Sequence, residues 1–253
     1  MLEEMLRVKR TKVKAVQKLA GTLNFLCRAI VPGRTFIRRL YDVIGNLPQH
    51  YHVNVSSQIK KDLRMWVQFL TTLQGNANVY RSFHEKEMLL DTSINFYTDA
   101  SGTIGIGCFY NGNYANAKWS MSFLEDVKPS IAFQELAAIT TALVIWGHKL
   151  KGSVLTIHTD NQSAMAIVNT LTSRCNFCMA LVRIIVKVCM SNDVRVKACY
   201  IPGKDNHIAD ALSRFQWERF HEAVENEGYE VKELRKETLP SILWPMCRSK
   251  LLN

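Results

Sequence analysis

The sequence predicts an α/β fold for residues 91–214, in which helices flank a mixed five-stranded sheet. A small all-helical module over residues 1–88 precedes it in the chain. Near residue 90 the apolar residues stop recurring at steps of three and four and begin to alternate, which separates helices from strands. Asn111-Gly112 lies between two strand-like runs and is a strong hairpin signal. Three successive strands, followed by strands separated by helices, are typical of a mixed sheet.

Three helices account for the first module. The apolar spacing predicts a helix over residues 12–30, which Pro32-Gly33 ends. A second, arginine-rich helix spans residues 34–44 and closes at the turn-forming run Gly45-Asn46-Leu47-Pro48. Ser56 can cap a third helix, because its hydroxyl can accept a hydrogen bond from the first turn.

The second part of the chain alternates between strands and helices. Strands are predicted at residues 94–98, 104–110, 114–119, 153–159 and 194–201. Helices are predicted at residues 129–149, 161–171, 174–191 and 205–214. The tail, residues 215–253, is predicted to be a charged helix and then a linker with two apolar anchors, Leu239-Pro240 and Leu243-Trp244.

The composition excludes several classes of protein. Of the 253 residues 47% are hydrophobic, and only 12 are Gly and 6 are Pro, which excludes a disordered or fibrous chain. Seven cysteines, an odd number spread over the chain, argue against a disulfide framework. The charged opening MLEEMLRVKRTKVK lacks the apolar run of a signal peptide. We therefore expect an intracellular protein of the cytoplasm or nucleus, not a secreted one.

No membrane span is predicted. The longest apolar stretch, residues 131–146, contains Gln134 and Glu135, which are costly inside a bilayer. This stretch is more consistent with a buried helix.

Positive charge is concentrated in the first third of the chain. The net charge is 32 − 22 = +10, and residues 1–90 hold 15 Lys and Arg against 6 Asp and Glu, or +9. A basic segment beside a nearly neutral one suggests a polyanionic partner, such as a nucleic acid. A solvated basic face without a partner is the alternative.

Four acidic residues lie where an acid has no evident structural role, and they are Asp99, Glu135, Asp160 and Asp210. Strand ends and the helices after them meet at one edge of an α/β sheet, so these side chains can converge. A buried acid is costly unless it is paired or binds a metal, and hard oxygen ligands select Mg²⁺ or Mn²⁺. The alternative is four unrelated capping or surface acids, and Asp160 alone could cap the helix after it.

At these residues the chain resembles the ribonuclease H domain of retroelement reverse transcriptases. The last of the shared motifs is the most specific. The motifs are Tyr97-Thr98-Asp99-Ala100-Ser101, Glu135-Leu136, Thr159-Asp160-Asn161, and Ile201-Pro202-Gly203-Lys204-Asp205-Asn206 with Ala209-Asp210-Ala211-Leu212-Ser213-Arg214.

The resemblance extends outward from this domain. Residues 19–25, 31–34 and 62–66 look like the thumb and connection segment that lies upstream. The tail, with Leu239-Pro240 and Leu243-Trp244, is similar to the segment downstream of this domain in DIRS-type elements, which use a tyrosine recombinase.

The resemblance implies cleavage of the RNA strand of RNA–DNA hybrids with two Mg²⁺ or Mn²⁺ ions. Asp99 would bridge both ions, Asp210 would hold the ion that activates water, and Glu135 and Asp160 would hold the other. Ser101, Gly102, Gln134 and Asn161 are weaker candidates for contacts with the nucleic-acid backbone, since small polar residues at strand ends are usually turn formers.

One position departs from the family pattern. Many ribonucleases H carry a histidine ten residues before the last catalytic acid, and here that position is Tyr200. His207, one helical turn before Asp210, is a possible substitute, although a surface histidine at a helix start is the more common case.

Three functional classes stay open. The first is a ribonuclease H that lacks a polymerase active site of its own, with the polymerase portion of the element as a possible partner. The second is a catalytically silent nucleic-acid-binding or interaction remnant, and the third is an inert fragment of a decayed element. Four converging carboxylates favour the first, because binding alone gains nothing from them.

Overall fold

The computed structural model describes residues 1–72, 94–229 and 235–236 and divides the chain into two units, Met1–Lys86 and Glu87–Asn253. The boundary that the sequence predicts, near residue 88, lies close to this division.

In residues 1–72, the described part of the first unit, four helices form most of the structure: α1 (Leu2–Arg7), α2 (Val13–Leu26), α3 (Arg38–Ile44) and α4 (Ser57–Thr72). A 3₁₀ helix, Val31–Phe36, lies between α2 and α3. A Cβ atom at Gly33 would lie 2.4 Å from the Trp66 ring, so glycine allows this turn to contact α4 closely. The Ser56 hydroxyl accepts a hydrogen bond from the Ile59 N–H at 3.2 Å, which confirms the predicted cap of α4.

The first unit is not entirely helical, which corrects the prediction. Strand β1 (Arg10–Lys12) pairs antiparallel with β2 (His52–Asn54). Both strands are three residues long and mostly polar, so neither shows the alternation that reveals a strand. The predicted helix over residues 12–30 also ends early, at Leu26, and the one predicted from residue 34 begins at Arg38.

A mixed sheet forms the centre of the second unit. Its strands are β3 (Ile94–Ala100), β4 (Gly105–Tyr110), β5 (Asn113–Lys118), β6 (Val154–Thr159), β7 (Arg195–Tyr200) and β8 (Arg235–Lys236). They lie in the order β7-β6-β3-β4-β5-β8, antiparallel at β3–β4 and β4–β5 and parallel elsewhere. The five predicted strands are confirmed, and β8 adds a two-residue pair that was not predicted.

The turn between β4 and β5 has the conformation that its sequence indicates. Asn111 and Gly112 both have positive φ, 41° and 74°, as the two central residues of a tight hairpin turn require. Glycine and asparagine tolerate this conformation better than other residues.

Helices cover both faces of this sheet. They are α5 (Met121–Val127), α6 (Ile131–Trp146), α7 (Gln162–Thr170), α8 (Asn176–Asn192), α9 (His207–Ser213) and α10 (Trp217–Asn226). On one face Phe96 of β3 contacts Trp146 of α6, with ring centroids 5.4 Å apart. On the other face Phe109 of β4 packs with Phe220 of α10. Alternation along the strands directs these two aromatic layers to opposite sides.

Helix α10 belongs to the second unit rather than to a separate tail, which corrects the predicted boundary at residue 214. Phe220 and Val224 are fully buried in one cluster with Phe109 and Leu212. Full burial of a phenylalanine side chain contributes roughly 1.5–3 kcal/mol, so this packing fixes the helix on the sheet. The predicted anchors at residues 239–240 and 243–244 lie outside the described residues.

One edge of the sheet carries a side-chain partner. Among the described strands β7 is the outermost on its side, and the Asn169 amide of α7 bonds the backbone of Ala198 twice. Asn169 Nδ2 donates to the Ala198 carbonyl at 2.8 Å, and the Ala198 N–H donates to Asn169 Oδ1 at 2.9 Å. This amide occupies backbone groups that a further strand would use.

Among the described residues one stretch, Ile131–Leu150, is long and apolar enough by composition to cross a membrane. However, 78% of its apolar window is buried inside the unit, as expected for a core helix.

Candidate metal centre and active site

Asp99, Glu135 and Asp160 converge at one edge of the central sheet, as the sequence predicted. Their closest carboxylate oxygens all lie within 4.8 Å of one another. Asp99 is near the end of β3, Asp160 directly follows β6, and Glu135 is near the start of α6. These strands are parallel neighbours, so their carboxyl ends meet here. We call these three residues the acidic trio.

Neutral donors orient Glu135 within the trio. Its side chain is only 3% exposed, and Oε1 accepts a hydrogen bond from the Ala100 N–H at 3.3 Å. Oε2 accepts one from the Thr159 hydroxyl at 3.4 Å. Ala100 ends β3 and Thr159 ends β6, so the sheet edge itself fixes the glutamate.

Asp99 is fixed by helix α9. Its Oδ2 accepts a hydrogen bond from the Ser213 hydroxyl at 2.5 Å. Gly107 pairs with Asp99 across β3 and β4, and a Cβ atom there would lie 2.4 Å from the Ala209 carbonyl oxygen. The missing side chain therefore allows α9 to lie directly on the sheet beside Asp99.

Asn206 ties the start of α9 to the strand that carries Asp99. It is buried, and its Nδ2 donates to the Thr98 carbonyl at 2.9 Å. Asn206 belongs to the motif IPGKDN, so part of that motif positions α9.

The electrostatics of the trio are those of crowded, partly dehydrated acids. Burial, and then the charges of Asp160 and Asp210, raise the pKa of Asp99 to about 6, against the Ser213 hydrogen bond. Burial, and then the charges of Asp99 and Asp160, raise the pKa of Glu135 to about 9. Burial also raises the pKa of Asp160. The three carboxyls therefore resist being ionised together without a nearby cation.

Asp210, the fourth predicted acid, lies near the trio but has basic partners. Arg214 Nε donates to its Oδ1 at 2.6 Å, and Arg219 Nη1 donates to its Oδ2. Burial alone would raise the pKa of Asp210, but the hydrogen bonds and charges of these two arginines outweigh it and lower that pKa. The charge of Asp210 nevertheless raises the pKa of Asp99 and of Asp160, so all four acids share one electrostatic environment.

The predicted nucleic-acid contacts also have hydrogen-bond partners within the fold. Gln134 is 3% exposed, and its Nε2 donates to the Gly102 carbonyl at 2.7 Å. Ser101 is buried, and its carbonyl accepts from Trp119 Nε1. Asn161 Oδ1 accepts from the Ala164 N–H at 2.9 Å and caps α7. These residues thus have evident roles in the fold, and their role in binding nucleic acid stays a prediction.

The two auxiliary candidates differ in their surroundings. Tyr200 ends β7 and is 46% exposed. His207 begins α9, and its Nε2 lies 3.5 Å from Glu227 Oε1. Glu227 is neither a member of the acidic trio nor Asp210, so this contact does not link His207 to the four acids.

Sequence reasoning missed several residues that build this site. Ser213, Arg214 and Asn206 lie within the shared motifs, but the motifs assign them no role, and the sequence pattern does not single out Gly107. Arg219 lies beyond residue 214, where the sequence predicts a separate tail, and its contact with Asp210 depends on the packing of α10. A serine three residues after an acid on a helix was the available signal for Ser213, because this spacing places both on one face.

The donor set suits a small divalent cation. It consists of three carboxylates, two of which accept hydrogen bonds from neutral groups, and hard oxygen ligands of this kind are those that Mg²⁺ and Mn²⁺ prefer. A Cβ atom at Gly203 would lie 3.1 Å from Asp160 Oδ2, so the glycine leaves space beside this ligand. The arrangement could therefore hold a divalent cation.

No protein-family model and no curated protein matches the chain. Similar solved structures include a mutant of the prototype foamy virus protease-reverse transcriptase, 17% identical over 75% of this chain and 24% of the other, with a TM-score of 0.29. A foamy viral protease-reverse transcriptase (dRH) in complex with double-stranded DNA is 15% identical over 79% and 34%, with a TM-score of 0.28. The native prototype foamy virus enzyme is 15% identical over 74% and 24%, with a TM-score of 0.27.

The chain thus spans about a quarter to a third of the length of these structures. They are reverse transcriptases, the broad class that the sequence motifs resemble, whereas a DIRS-type origin stays a prediction. At these TM-scores the function has to be argued from the chain's own residues.

Proposed function

We propose that this protein is a metal-dependent endonuclease that cleaves the RNA strand of RNA–DNA hybrids. The acidic trio carries the proposal: three carboxylates from three parts of the fold converge at a sheet edge, two of them almost fully buried. Burying such a group costs free energy, and a binding surface alone would not require it.

Each acid has a role in this proposal. Asp99, Glu135 and Asp160 would hold a divalent cation, Mg²⁺ or Mn²⁺, and Asp210 would contribute to a second. When bound, such cations lower the pKa of a water molecule and neutralise charge on the phosphate during in-line displacement. Ser213 keeps Asp99 oriented, while Ala100 and Thr159 keep Glu135 oriented.

The substrate assignment rests on the sequence. The motifs around the four acids resemble those of retroelement ribonucleases H, and the first 90 residues carry an excess of nine positive charges. A basic segment would raise the affinity for a hybrid through phosphate contacts. The 2′-hydroxyl groups would distinguish the RNA strand from the DNA strand.

The same proposal covers the helical unit, the kind of reverse transcriptase and the place of action. We assign the helical unit to a thumb or connection segment, and the whole chain to a reverse transcriptase of DIRS type, with the polymerase portion as a partner. Its place of action would be intracellular, in the cytoplasm or nucleus.

A catalytically silent binding remnant is the second candidate. One observation favours it: each oxygen of Asp210 accepts a hydrogen bond from an arginine, and these two positive charges oppose a cation at the fourth carboxylate.

The deciding experiment is cleavage of a labelled RNA–DNA hybrid by the full chain in Mg²⁺, in Mn²⁺ and in EDTA. RNA duplex and DNA duplex serve as controls. We expect the RNA strand of the hybrid alone to be cut, and only with metal. No cutting in either metal, with salt-sensitive hybrid binding retained, would support the silent remnant instead.

The variant Asp99→Asn separates the two candidates. It removes one negative charge at the centre of the trio, so we expect cleavage to be lost while hybrid binding is kept or strengthened. Asp126→Asn, which changes an exposed acid of α5, is the matched control. Cleavage by Asp99→Asn at the wild-type rate would refute the metal-site assignment.

A further inference from the structure

Asp210 differs from the acidic trio in the groups that contact it. Asp99 and Glu135 accept hydrogen bonds from a serine, a threonine and a backbone N–H, all of them neutral. Both Asp210 oxygens accept from arginines, Oδ1 from Arg214 Nε and Oδ2 from Arg219 Nη1. A cation that approached either Asp210 oxygen would therefore meet an arginine charge that is already paired with it.

The two arginines are attached differently to the fold. Arg214 directly follows α9, four residues after Asp210, so its contact is local. Arg219 lies on α10, and the chain between Asp210 and Arg219 passes through Phe215, whose φ of 58° is strained for a residue other than glycine. The contact with Arg219 thus depends on how α10 packs.

Helix α10 holds Arg219 in place. The next residue, Phe220, is fully buried against Phe109, and the Gln216 N–H donates to the Ala211 carbonyl of α9 at 2.9 Å. The Gln216 side chain also accepts a hydrogen bond from Arg219 Nη1 at 3.0 Å. The backbone of Arg219 is thus fixed on the sheet, and its guanidinium is held beside the Asp210 carboxylate.

We propose that Arg219 is a positioning residue that competes with a divalent cation for Asp210, so that helix α10 sets the cation concentration at which the fourth carboxylate joins the site. This inference rests on the proposed function, because it assumes that the four acids bind cations. It adds a control over the second cation, exerted by a helix outside the acid-bearing motifs.

The exchange is physically accessible. The side chains of Arg214 and Arg219 are 46% and 45% exposed, so water and a cation can reach both. Exposed ion pairs exchange partners at small cost. Loss of one arginine should therefore strengthen binding of the second cation by about two- to fivefold. A released guanidinium would also be free to contact a phosphate.

The test is a titration of the full chain with Mn²⁺, in which electron paramagnetic resonance measures the free ion. This readout does not require cleavage. Arg219→Gln should lower the half-saturating Mn²⁺ concentration of the weaker ion by about two- to fivefold. Arg219→Lys, which keeps the charge with fewer donors, should give an intermediate value. Arg174→Gln removes an exposed arginine from the same unit and should leave the titration unchanged.

A double variant identifies the group through which Arg219 acts. In an Asp210→Asn background the arginine has no carboxylate to protect, so Arg219→Gln should no longer change the titration. An equal shift in both backgrounds would overturn the proposal, because the arginine would then act by general charge repulsion. A thermal melt of each variant checks that α10 remains packed.

The remaining outcomes separate this inference from the proposed function. If the wild-type chain binds Mn²⁺ and cuts the hybrid while Arg219→Gln titrates as wild type or more weakly, the inference is wrong and the proposed function stands. A single Mn²⁺ site that is insensitive to Arg219 has the same meaning. If the wild type binds no Mn²⁺, both the inference and the metal-dependent function are wrong.

Discussion

The acidic trio and Asp210 use the same chemical group in two environments. Glu135 and Asp99 are buried and oriented by neutral donors, and their pKa values rise to about 9 and about 6. Asp210 is 20% exposed at its side chain and is paired with two arginines, and its pKa is lowered. The trio needs an external cation to be fully ionised, whereas Asp210 is already compensated by the protein.

This comparison separates the ability to bind a metal from the ability to stay charged. Burial makes an acid a stronger cation ligand, because the unpaired charge is poorly solvated, but it also favours protonation. An ion pair favours the ionised form of the acid, but its positive charge opposes a cation at the same oxygens. Four predictions test this contrast, from the largest expected effect to the smallest.

Removal of one trio acid should have a much larger effect on cation binding than removal of Asp210. Asp160→Asn takes away one of three converging ligands. We therefore expect the affinity for the first cation and the rate of hybrid cleavage each to fall by roughly a hundredfold or more. Asp210→Asn leaves the trio intact, and the first cation should bind nearly as in the wild type. Calorimetric titration with Mg²⁺ measures the cation affinity of both variants. Equal losses of affinity would show that the four acids form one undivided site.

Gly107→Ala should separate helix α9 from the sheet. Its Cβ atom would lie 2.4 Å from the Ala209 carbonyl oxygen and 2.6 Å from the Ser213 backbone nitrogen. We expect the unfolding free energy to fall by about 1–3 kcal/mol and cation affinity to fall with it, because Ser213 would move away from Asp99. Urea denaturation measures the change.

A matched glycine tests the reason for that effect. A Cβ atom at Gly21, on helix α2, meets no atom within 4 Å, so Gly21→Ala should stabilise its helix by up to about 1 kcal/mol. Destabilisation of similar size by both substitutions would argue against close packing at Gly107.

The metal-free protein should lose stability as pH rises, and Glu135 should cause part of this loss. The pKa values of Asp99 and Glu135 are about 6 and about 9 in the folded chain, above their ordinary values near 4. The folded state therefore binds more protons than the unfolded state, so the contribution of these groups is complete below about pH 4 and is lost as pH rises through 6 towards 9.

Glu135→Gln replaces the carboxyl with an amide that cannot ionise, so the loss of stability at high pH should become smaller. We expect the Tm in EDTA at pH 8.5 to rise by about 2–8 °C. Glu125→Gln, which changes an exposed acid of α5, is the control and should leave the slope unchanged. Thermal melts in EDTA between pH 5 and 9 measure both. A wild-type Tm that rises steadily over this range would contradict the assignment of a buried, uncompensated glutamate.

Gln134→Ala should affect stability and not hybrid affinity. The Gln134 amide donates to the Gly102 carbonyl inside the fold, and loss of such a bond costs about 1 kcal/mol. Gln162→Ala, at an exposed position that begins α7, should be neutral in both measurements. A loss of hybrid affinity in Gln134→Ala at unchanged stability would restore the nucleic-acid role that the sequence suggested.

The sequence sufficed for those parts of the site that depend on element order. Asp99 and Asp160 end parallel strands, and Glu135 is an acid within an apolar helix, so their convergence follows from the topology. The hairpin at Asn111-Gly112 and the cap at Ser56 depend on a few adjacent residues, and both are local signals.

The remainder depends on contacts between distant residues. The pairing of Asp210 with Arg219 requires α10 to fold back onto the sheet, which a boundary placed at residue 214 could not anticipate. The β1–β2 pair joins two short polar segments about 40 residues apart in sequence, and neither shows a strand pattern. Gln134 and Ser101 were predicted at a binding surface because they adjoin the acids, but burial is decided by packing rather than by sequence proximity.

The Asn169 amide at the outer edge of β7 has a consequence for the behaviour of the protein in concentrated solution. An open strand edge can recruit a strand from another molecule and so begin aggregation. Because Asn169 bonds both the N–H and the carbonyl of Ala198, an incoming strand would have to displace a satisfied side chain before its first backbone bond could form at this residue. A single asparagine thus acts against self-association along this edge.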